Sequence, residues 1–72
     1  MDDKPKLRQQ LLTYRDLRDM GIPFSRSALR RHERAGTFPC RLMISPQLPV
    51  WDAVEVSEWL ETKRAERARR IL

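Results

Sequence analysis

The sequence predicts a small α+β fold that is mostly α, with three helices and a short two-stranded hairpin. Three observations lead to it: the chain has only 72 residues, one helix-start pattern occurs three times, and a strand-like apolar stretch precedes the third helix. A chain of this length forms one domain at most and buries only about 60% of the surface that its unfolded form exposes. We therefore expect a thin core and no room for an enclosed active site.

Each predicted helix starts with an apolar residue, then a residue that can cap the helix, and then a second apolar residue five positions after the first. The side-chain oxygen of the cap accepts hydrogen bonds from free amides of the first turn, and the two apolar side chains pack together across the helix start. The three sets are Leu12, Thr13 and Leu17; Phe24, Ser25 and Leu29; Trp51, Asp52 and Val56.

The first two helices are predicted to be joined by a short turn. The first runs from residue 14 to about residue 20 and ends at Gly21; the second runs from residue 26 to about residue 35. Gly36 follows the second helix as a residue that readily adopts the left-handed conformation of a helix end. Pro23 disfavours helix at the residue before it. Two helices joined by a four-residue turn form a helix-turn-helix.

A hairpin is predicted after the second helix. Residues 41–44 and 48–51 are the strands, and residues 45–47, which include a proline, form the tip. Pro49 has no amide hydrogen, so we expect the second strand to lie at a sheet edge. A hairpin in this position is the wing of a winged helix-turn-helix. The third helix then buries a stripe of Val56, Trp59 and Leu60.

The chain divides into three parts. We predict a flexible N-terminal arm over residues 1–11, the winged helix-turn-helix over residues 12–63, and a basic C-terminal helix extension over residues 64–72. The extension is interpreted first as a solvated helix end, in which Glu66 and Arg70 pair. Two other interpretations are a small oligomer contact through Ile71 and Leu72, and phosphate contact by Arg64, Arg67, Arg69 and Arg70.

Charge and its placement suggest a polyanionic partner. The net charge is +5, the isoelectric point is about 10.4, and arginine supplies 12 of the 15 cations. Residues 24–45 carry +4 and residues 61–72 carry +3, whereas residues 46–60 carry −3. A small domain with such basic patches commonly binds nucleic acid. The alternative is that the charge only keeps the protein soluble.

The sequence lacks the residue patterns that several classes of protein function require. Cys40 is the only cysteine and His32 the only histidine, so neither an internal disulfide nor a cysteine or histidine metal cluster is expected. We interpret Cys40 as a small, partly buried apolar residue and His32 as a residue at the core edge. No glycine-rich phosphate loop, nucleophile elbow or Ser/His/Asp set occurs. We expect no catalytic activity, no cofactor and no metal. The absence of a long apolar run predicts a cytoplasmic protein without a membrane partner.

The second helix presents arginines on the face opposite its core side. If Leu29 faces the core, a helical wheel of about 100° per residue places Ser27, Arg30, Arg31 and Arg34 outward, with Arg26 beside them. Ser25 leaves free amides at the leading end, which favours a phosphate. A solvated face usually mixes charge signs, and this face carries no acid. The pattern therefore predicts a recognition helix for the DNA major groove.

The order of motifs resembles the AlpA-type small regulators and the related phage excisionases. The matching features are Ser25-Arg26-Ser27 at the second helix, residues 36–39 (Gly-Thr-Phe-Pro), the hairpin, Trp51, and residues 55–59 (Glu-Val-Ser-Glu-Trp). The resemblance covers about residues 12–63. It implies a winged helix-turn-helix from a phage or mobile element that regulates transcription, or that directs an integrase toward excision.

The resemblance also implies partners and site residues. The partners are double-stranded DNA, an integrase, and further copies of the chain bound cooperatively on DNA. The DNA-binding set is Ser25, Arg26, Ser27, Arg30, Arg31 and Arg34, with Arg41 as the cation of the wing. Two positions depart from the family: His32 replaces an apolar residue, and the wing tip lacks a cation. A protein-interaction adaptor, with the basic face against an acidic partner, is the alternative function.

Overall fold

A computed structural model describes residues 10–71, and it has the predicted winged helix-turn-helix fold. Three helices surround a small antiparallel sheet, and the hairpin projects between the second and third helix. In chain order the elements are β1 (Leu11–Leu12), α1 (Tyr14–Asp19), α2 (Arg26–Ala35), β2 (Leu42–Ser45), β3 (Leu48–Asp52) and α3 (Ala53–Ile71).

All three predicted caps form, which explains where the helices start. Thr13 Oγ1 accepts the amide hydrogen of Asp16 at 3.2 Å, and the Asp16 carboxylate accepts that of Thr13 at 2.9 Å, a reciprocal capping box. Ser25 Oγ accepts the amide hydrogen of Ala28 at 3.1 Å. Asp52 Oδ1 accepts the amide hydrogens of Val54 and Glu55 at 2.8 and 3.3 Å.

Glycine ends both helices of the helix-turn-helix. Gly21 has φ +91° and Gly36 has φ +76°, a left-handed conformation that is unfavourable for residues with a Cβ atom. The first helix ends at Asp19 with Met20 as its cap, one residue earlier than predicted. Four residues, 21–24, therefore lie between the cap of α1 and the cap of α2, which agrees with the predicted turn.

The sheet contains a third strand that the sequence analysis does not predict. Leu11 pairs with Asp52 and Leu12 with Trp51, so that the strand order is β1-β3-β2. Leu11 therefore belongs to the sheet, although the sequence assigns it to the arm; residues 1–9 of that arm lie outside the described residues. This pairing attaches the start of the domain directly to the strand that leads into α3.

Pro49 lies in the central strand, so the prediction that its strand is an edge strand is wrong. Its position is nonetheless compatible with a missing amide hydrogen. The short strand β1 reaches only Trp51 and Asp52, and Pro49 faces Met43 of β2 on its other side. At Pro49 the central strand therefore has no neighbouring strand on the β1 side, and the missing amide hydrogen costs no hydrogen bond to β1.

The core is small and rich in aromatic side chains. Trp51, Leu17, Leu29 and Val56 are each at most 1% exposed, and Ile22 and Phe38 complete the cluster. Trp59 packs edge-on against Phe38, with ring centroids 4.8 Å apart. Trp51 is therefore a core residue, whereas Trp59 is half-buried at the edge of the core. Of the predicted stripe on α3, Val56 is fully buried and Trp59 and Leu60 are half-buried. Leu12, Tyr14, Phe24 and Trp59 cover the edges of this cluster.

The C-terminal half of α3 extends beyond the core as an exposed helix. Residues 61–70 are exposed apart from Glu66, which is half-buried and pairs with Lys63 at 3.5 Å rather than with Arg70 as predicted. Arg64 pairs with Glu61 at 2.9 Å. These pairs agree with a solvated helix end. The proposed contact through Ile71 and Leu72 concerns side chains outside the described part of the structure.

Replacing Leu17 by alanine is expected to destabilise the domain by roughly 2–5 kcal/mol, because the truncation leaves a cavity in a core with few other side chains to fill it. Thermal or urea unfolding followed by circular dichroism measures the change. Leu42→Ala is the matched control, since Leu42 is 48% exposed and its truncation should change stability by about 0.5 kcal/mol or less. Equal losses in the two variants would contradict this assignment of the core.

Candidate nucleic-acid interface

The outward face of α2 is a continuous polar surface with an excess of positive charge. Leu29 is 1% exposed and fixes the side of the helix that faces the core. Its opposite side is exposed and contains Ser27, Arg30, Arg31 and Arg34, the orientation expected from the helical wheel. Among the described residues these three arginines form no ion pair. Their guanidinium groups are therefore available to an external anion.

Arg26 lies at the leading end of the same helix and is held by an aromatic ring. Its guanidinium carbon lies 4.3 Å from the ring centroid of Tyr14, a cation–π contact between α2 and α1. Arg18 approaches the same ring more loosely, at 6.0 Å. The contact restricts the rotamers of Arg26 but leaves its N–H groups free, which lowers the entropy lost when an anion binds.

The two serines at the start of α2 differ in their local role. Ser25 Oγ is committed as the cap of the helix through the amide of Ala28. Ser27 is exposed on the first turn, and its hydroxyl lies 3.5 Å from that of Ser25. Ser25 thus fixes the start of the helix, while Ser27 presents a donor and acceptor on the arginine face.

Glu33 connects α2 to the base of the wing. The single Nε–H of Arg41 is shared between the two oxygens of the Glu33 carboxylate, at 3.0 and 3.3 Å, and Arg41 Nη2 donates to Oε2 at 3.2 Å. The carboxylate also accepts the indole N–H of Trp51 at 3.1 Å. The Glu33 and Arg41 side chains are only 11% and 19% exposed, so water competes weakly for these bonds.

Arg41 is therefore not a free cation on the wing. Its guanidinium group is occupied by Glu33 and lies 5.2 Å from the Trp51 ring. The sequence predicts Arg41 as a DNA-binding residue and does not indicate Glu33 as its partner. The two residues are eight positions apart across a turn, a separation that no helix or strand periodicity relates, so the sequence contains no signal for this pair.

A groove separates α2 from the wing, and its helix side is basic. Arg26, Arg30 and Arg34 are four residues apart and form one row along this side. Leu29, Glu33 and Trp51 contribute to its lining, and Pro46 and Gln47 of the wing tip border it. Arg31 and Ser27 lie outside the groove, on the outermost face of the helix. The remaining residues along the groove are Tyr14, Cys40, Arg41, Met43 and Pro49.

The wing carries no charge over residues 42–49. All four residues of β2 are exposed, among them Ile44 at 56% and Met43 at 52%, and Leu48 of β3 is 44% exposed. The lack of a cation at the tip agrees with the departure from the family noted in the sequence. The exposed surface of the wing is therefore uncharged and mostly apolar.

Two further residues that the sequence singles out are placed by the structure. His32 is half-buried, stacks on Phe24 with ring centroids 4.3 Å apart, and has Nδ1 within 2.8 Å of Thr37 Oγ1. It fills the predicted core-edge position. Cys40 is exposed, so the expected partial burial of its side chain is wrong.

Within residues 10–71, no three side chains among histidine, cysteine, aspartate and glutamate are grouped as a metal site would require. None of the helices described over the same residues combines the length and the apolar character needed to cross a bilayer.

The fold and this basic helix face define a small winged helix-turn-helix protein. Residues 14–64 match the family described as prophage CP4-57 regulatory protein (AlpA). The chain therefore belongs to the AlpA family of phage regulatory proteins, a family of regulators rather than enzymes. No curated protein sequence matches the chain.

Removing the Glu33 carboxylate is expected to destabilise the domain. Glu33→Ala leaves the half-buried Arg41 guanidinium and the indole N–H of Trp51 without their acceptor, at a cost of roughly 1–3 kcal/mol. Glu33→Gln retains a neutral acceptor and should cost less. The free energy of unfolding from urea titration measures both changes. Glu58→Ala, an exposed glutamate of α3, is the control; a loss as large as that of Glu33→Ala would contradict a specific role for Glu33.

Proposed function

We propose that the protein binds specific sequences of double-stranded DNA with α2 in the major groove, and that it thereby regulates transcription or excision in a phage or mobile element. One observation carries the proposal: the exposed face of α2 presents Arg30, Arg31 and Arg34 without an ion-pair partner among the described residues. Membership of a phage regulatory family supports it.

The chemistry of this face suits DNA. Arginine offers a planar fork of donors that binds guanine O6 and N7, or a phosphate, through two hydrogen bonds. Ser27 adds a small donor and acceptor, and Arg26 is preorganised by Tyr14 near the leading end of the helix. The only acid of α2, Glu33, is turned toward Arg41 and leaves the exposed face free of negative charge.

The remaining members of the proposed site have distinct roles. Ser25 sets the helix start and directs the first free amides toward a phosphate. Arg41 contributes through its position: by holding Glu33 it joins the wing to α2, and its remaining N–H groups are available to a phosphate at the groove. The tail arginines beyond residue 63 are proposed to add phosphate contacts that do not depend on sequence.

An adaptor that binds an acidic protein is the second candidate, and it uses the same basic face. The two candidates predict different responses to salt. A protein that neutralises several phosphates releases condensed counterions, so its affinity falls steeply as salt increases. Gel shifts across a salt series therefore distinguish duplex DNA from an acidic protein. Assembly with an integrase or with further copies of the chain remains part of the proposal.

Replacing Arg30, Arg31 and Arg34 together by alanine should abolish sequence-specific binding, since each arginine that reads a base contributes roughly 1–3 kcal/mol. The measurement compares affinity for a duplex selected from a random pool with affinity for a scrambled duplex of the same length. Arg67→Ala, Arg69→Ala and Arg70→Ala combined form the control, because this variant loses the same charge from the exposed tail.

The tail variant should bind all duplexes more weakly but keep the ratio between selected and scrambled DNA. If the helix variant keeps that ratio as well, α2 is not the recognition helix.

Regulation and excision differ in where the protein sits on DNA. Footprinting across the element's own promoters and attachment regions is expected to show protection that includes a major groove. Sites at a promoter support a transcriptional regulator, and tandem sites in phase with the duplex at an attachment region support excision. Protection at neither class of site would contradict both roles.

A further inference from the structure

The arginines of α2 fall into two sets that the sequence does not distinguish. Arg26, Arg30 and Arg34 recur every four residues and line the groove between α2 and the wing. Arg31 lies outside this groove with Ser27, on the side of the helix directly opposite Leu29. All are exposed, so burial does not separate the two sets. The two sets differ instead in their position relative to the wing.

The three arginines that line the groove match a phosphodiester strand in charge and in length. Eight residues of helix separate Arg26 from Arg34, an axial distance of about 12 Å at 1.5 Å per residue. A strand winds around the duplex, so its consecutive phosphates lie further apart along the strand than the axial rise of about 3.4 Å, and the row extends over roughly two to three phosphates. One side of the groove is therefore a row of cations on the scale of a backbone segment.

The single acid in the groove does not oppose an incoming phosphate. Glu33 is 11% exposed and receives hydrogen bonds from Arg41 and Trp51, so its charge is balanced within the groove wall. The uncharged tip of the wing, at Pro46 and Gln47, adds no negative charge on the other side. The groove as a whole keeps the positive charge of its arginine row.

We infer that the groove between α2 and the wing seats one phosphate backbone strand on Arg26, Arg30 and Arg34, whereas Arg31 and Ser27 read the bases. This inference rests on the proposed function. A strand seated in the groove brings the neighbouring major groove to the outermost face of α2, where Arg31 and Ser27 are the polar side chains. Arg30, Arg34 and Arg26 then set affinity, and Arg31 sets specificity.

Arg30→Ala and Arg31→Ala form a matched pair of variants, since the two residues are adjacent, exposed and equal in charge. Both are measured on the selected and the scrambled duplex over a salt series. Arg30→Ala should weaken binding to both duplexes equally and lower the slope of log affinity against log salt by about 0.9. Arg31→Ala should lower the preference for the selected duplex by about 5- to 150-fold.

Lysine substitutions test the same division by chemistry. A phosphate accepts lysine as a point charge, so Arg30→Lys should bind nearly as the original protein does. A guanine edge requires the two-pronged donor of arginine, so Arg31→Lys should lose specificity as Arg31→Ala does. Circular dichroism of each variant verifies that the overall helix content is retained.

The outcomes separate this inference from the proposed function. If Arg30→Ala and Arg31→Ala change the ratio between the two duplexes equally, or if Arg30 alone changes it, the division of roles is wrong while DNA binding stands. If the unsubstituted protein selects no duplex and binds without salt dependence, the proposed function itself is wrong. If Arg30→Ala leaves the slope of log affinity against log salt unchanged, Arg30 does not bind a phosphate and the inference is wrong.

Discussion

The carboxylate of Glu33 is the point at which α2, the wing and the core meet. It receives Arg41 from the base of the wing and Trp51 from the central strand, while its own backbone belongs to α2. The wing is a two-stranded hairpin with an exposed outer strand, and a hairpin of this kind has little stability by itself. Its orientation therefore depends on contacts at its base, of which the bonds to Glu33 are the most directional.

The same interaction determines how charge is distributed over the surface. Glu33 is the only acid between residues 24 and 45, and Arg41 is one of five arginines there. Their mutual pairing removes one cation and the only anion from the exposed surface, and it leaves Arg26, Arg30, Arg31 and Arg34 as a set of one sign. Like charges at this spacing repel and cost stability in the free protein. A polyanion relieves that repulsion when it binds.

A domain of this size has few interactions that can hold α2 in place. The helix is capped by Ser25, ended by Gly36 in a left-handed conformation, and anchored by Leu29 in a core of six buried side chains. Aromatic rings at the core edge bind neighbouring polar groups: Tyr14 holds Arg26, and the indole of Trp59 donates to the carbonyl of Thr37 at 2.7 Å. The rigid scaffold and the arginine face are thus built from the same short segment.

The sequence alone determined the features that depend on neighbours within about five residues. The caps and the orientation of α2 follow from local hydrogen bonding and helical periodicity, and each was found where the pattern predicted it. The resemblance to AlpA-type regulators followed from the order of these same motifs.

Tertiary structure decided what depends on the path of the chain. The strand β1 pairs with β3 across some forty positions, and Pro49 lies in a central strand that has no neighbour on one side at that residue. Glu33 of α2 meets Arg41, which lies just before β2, and Trp51 of β3. Only the placement of the wing separates Arg30 from Arg31. The separations of these residues along the chain follow neither the helix period nor the strand period. Their contacts therefore form only when the chain folds and cannot be read from the sequence.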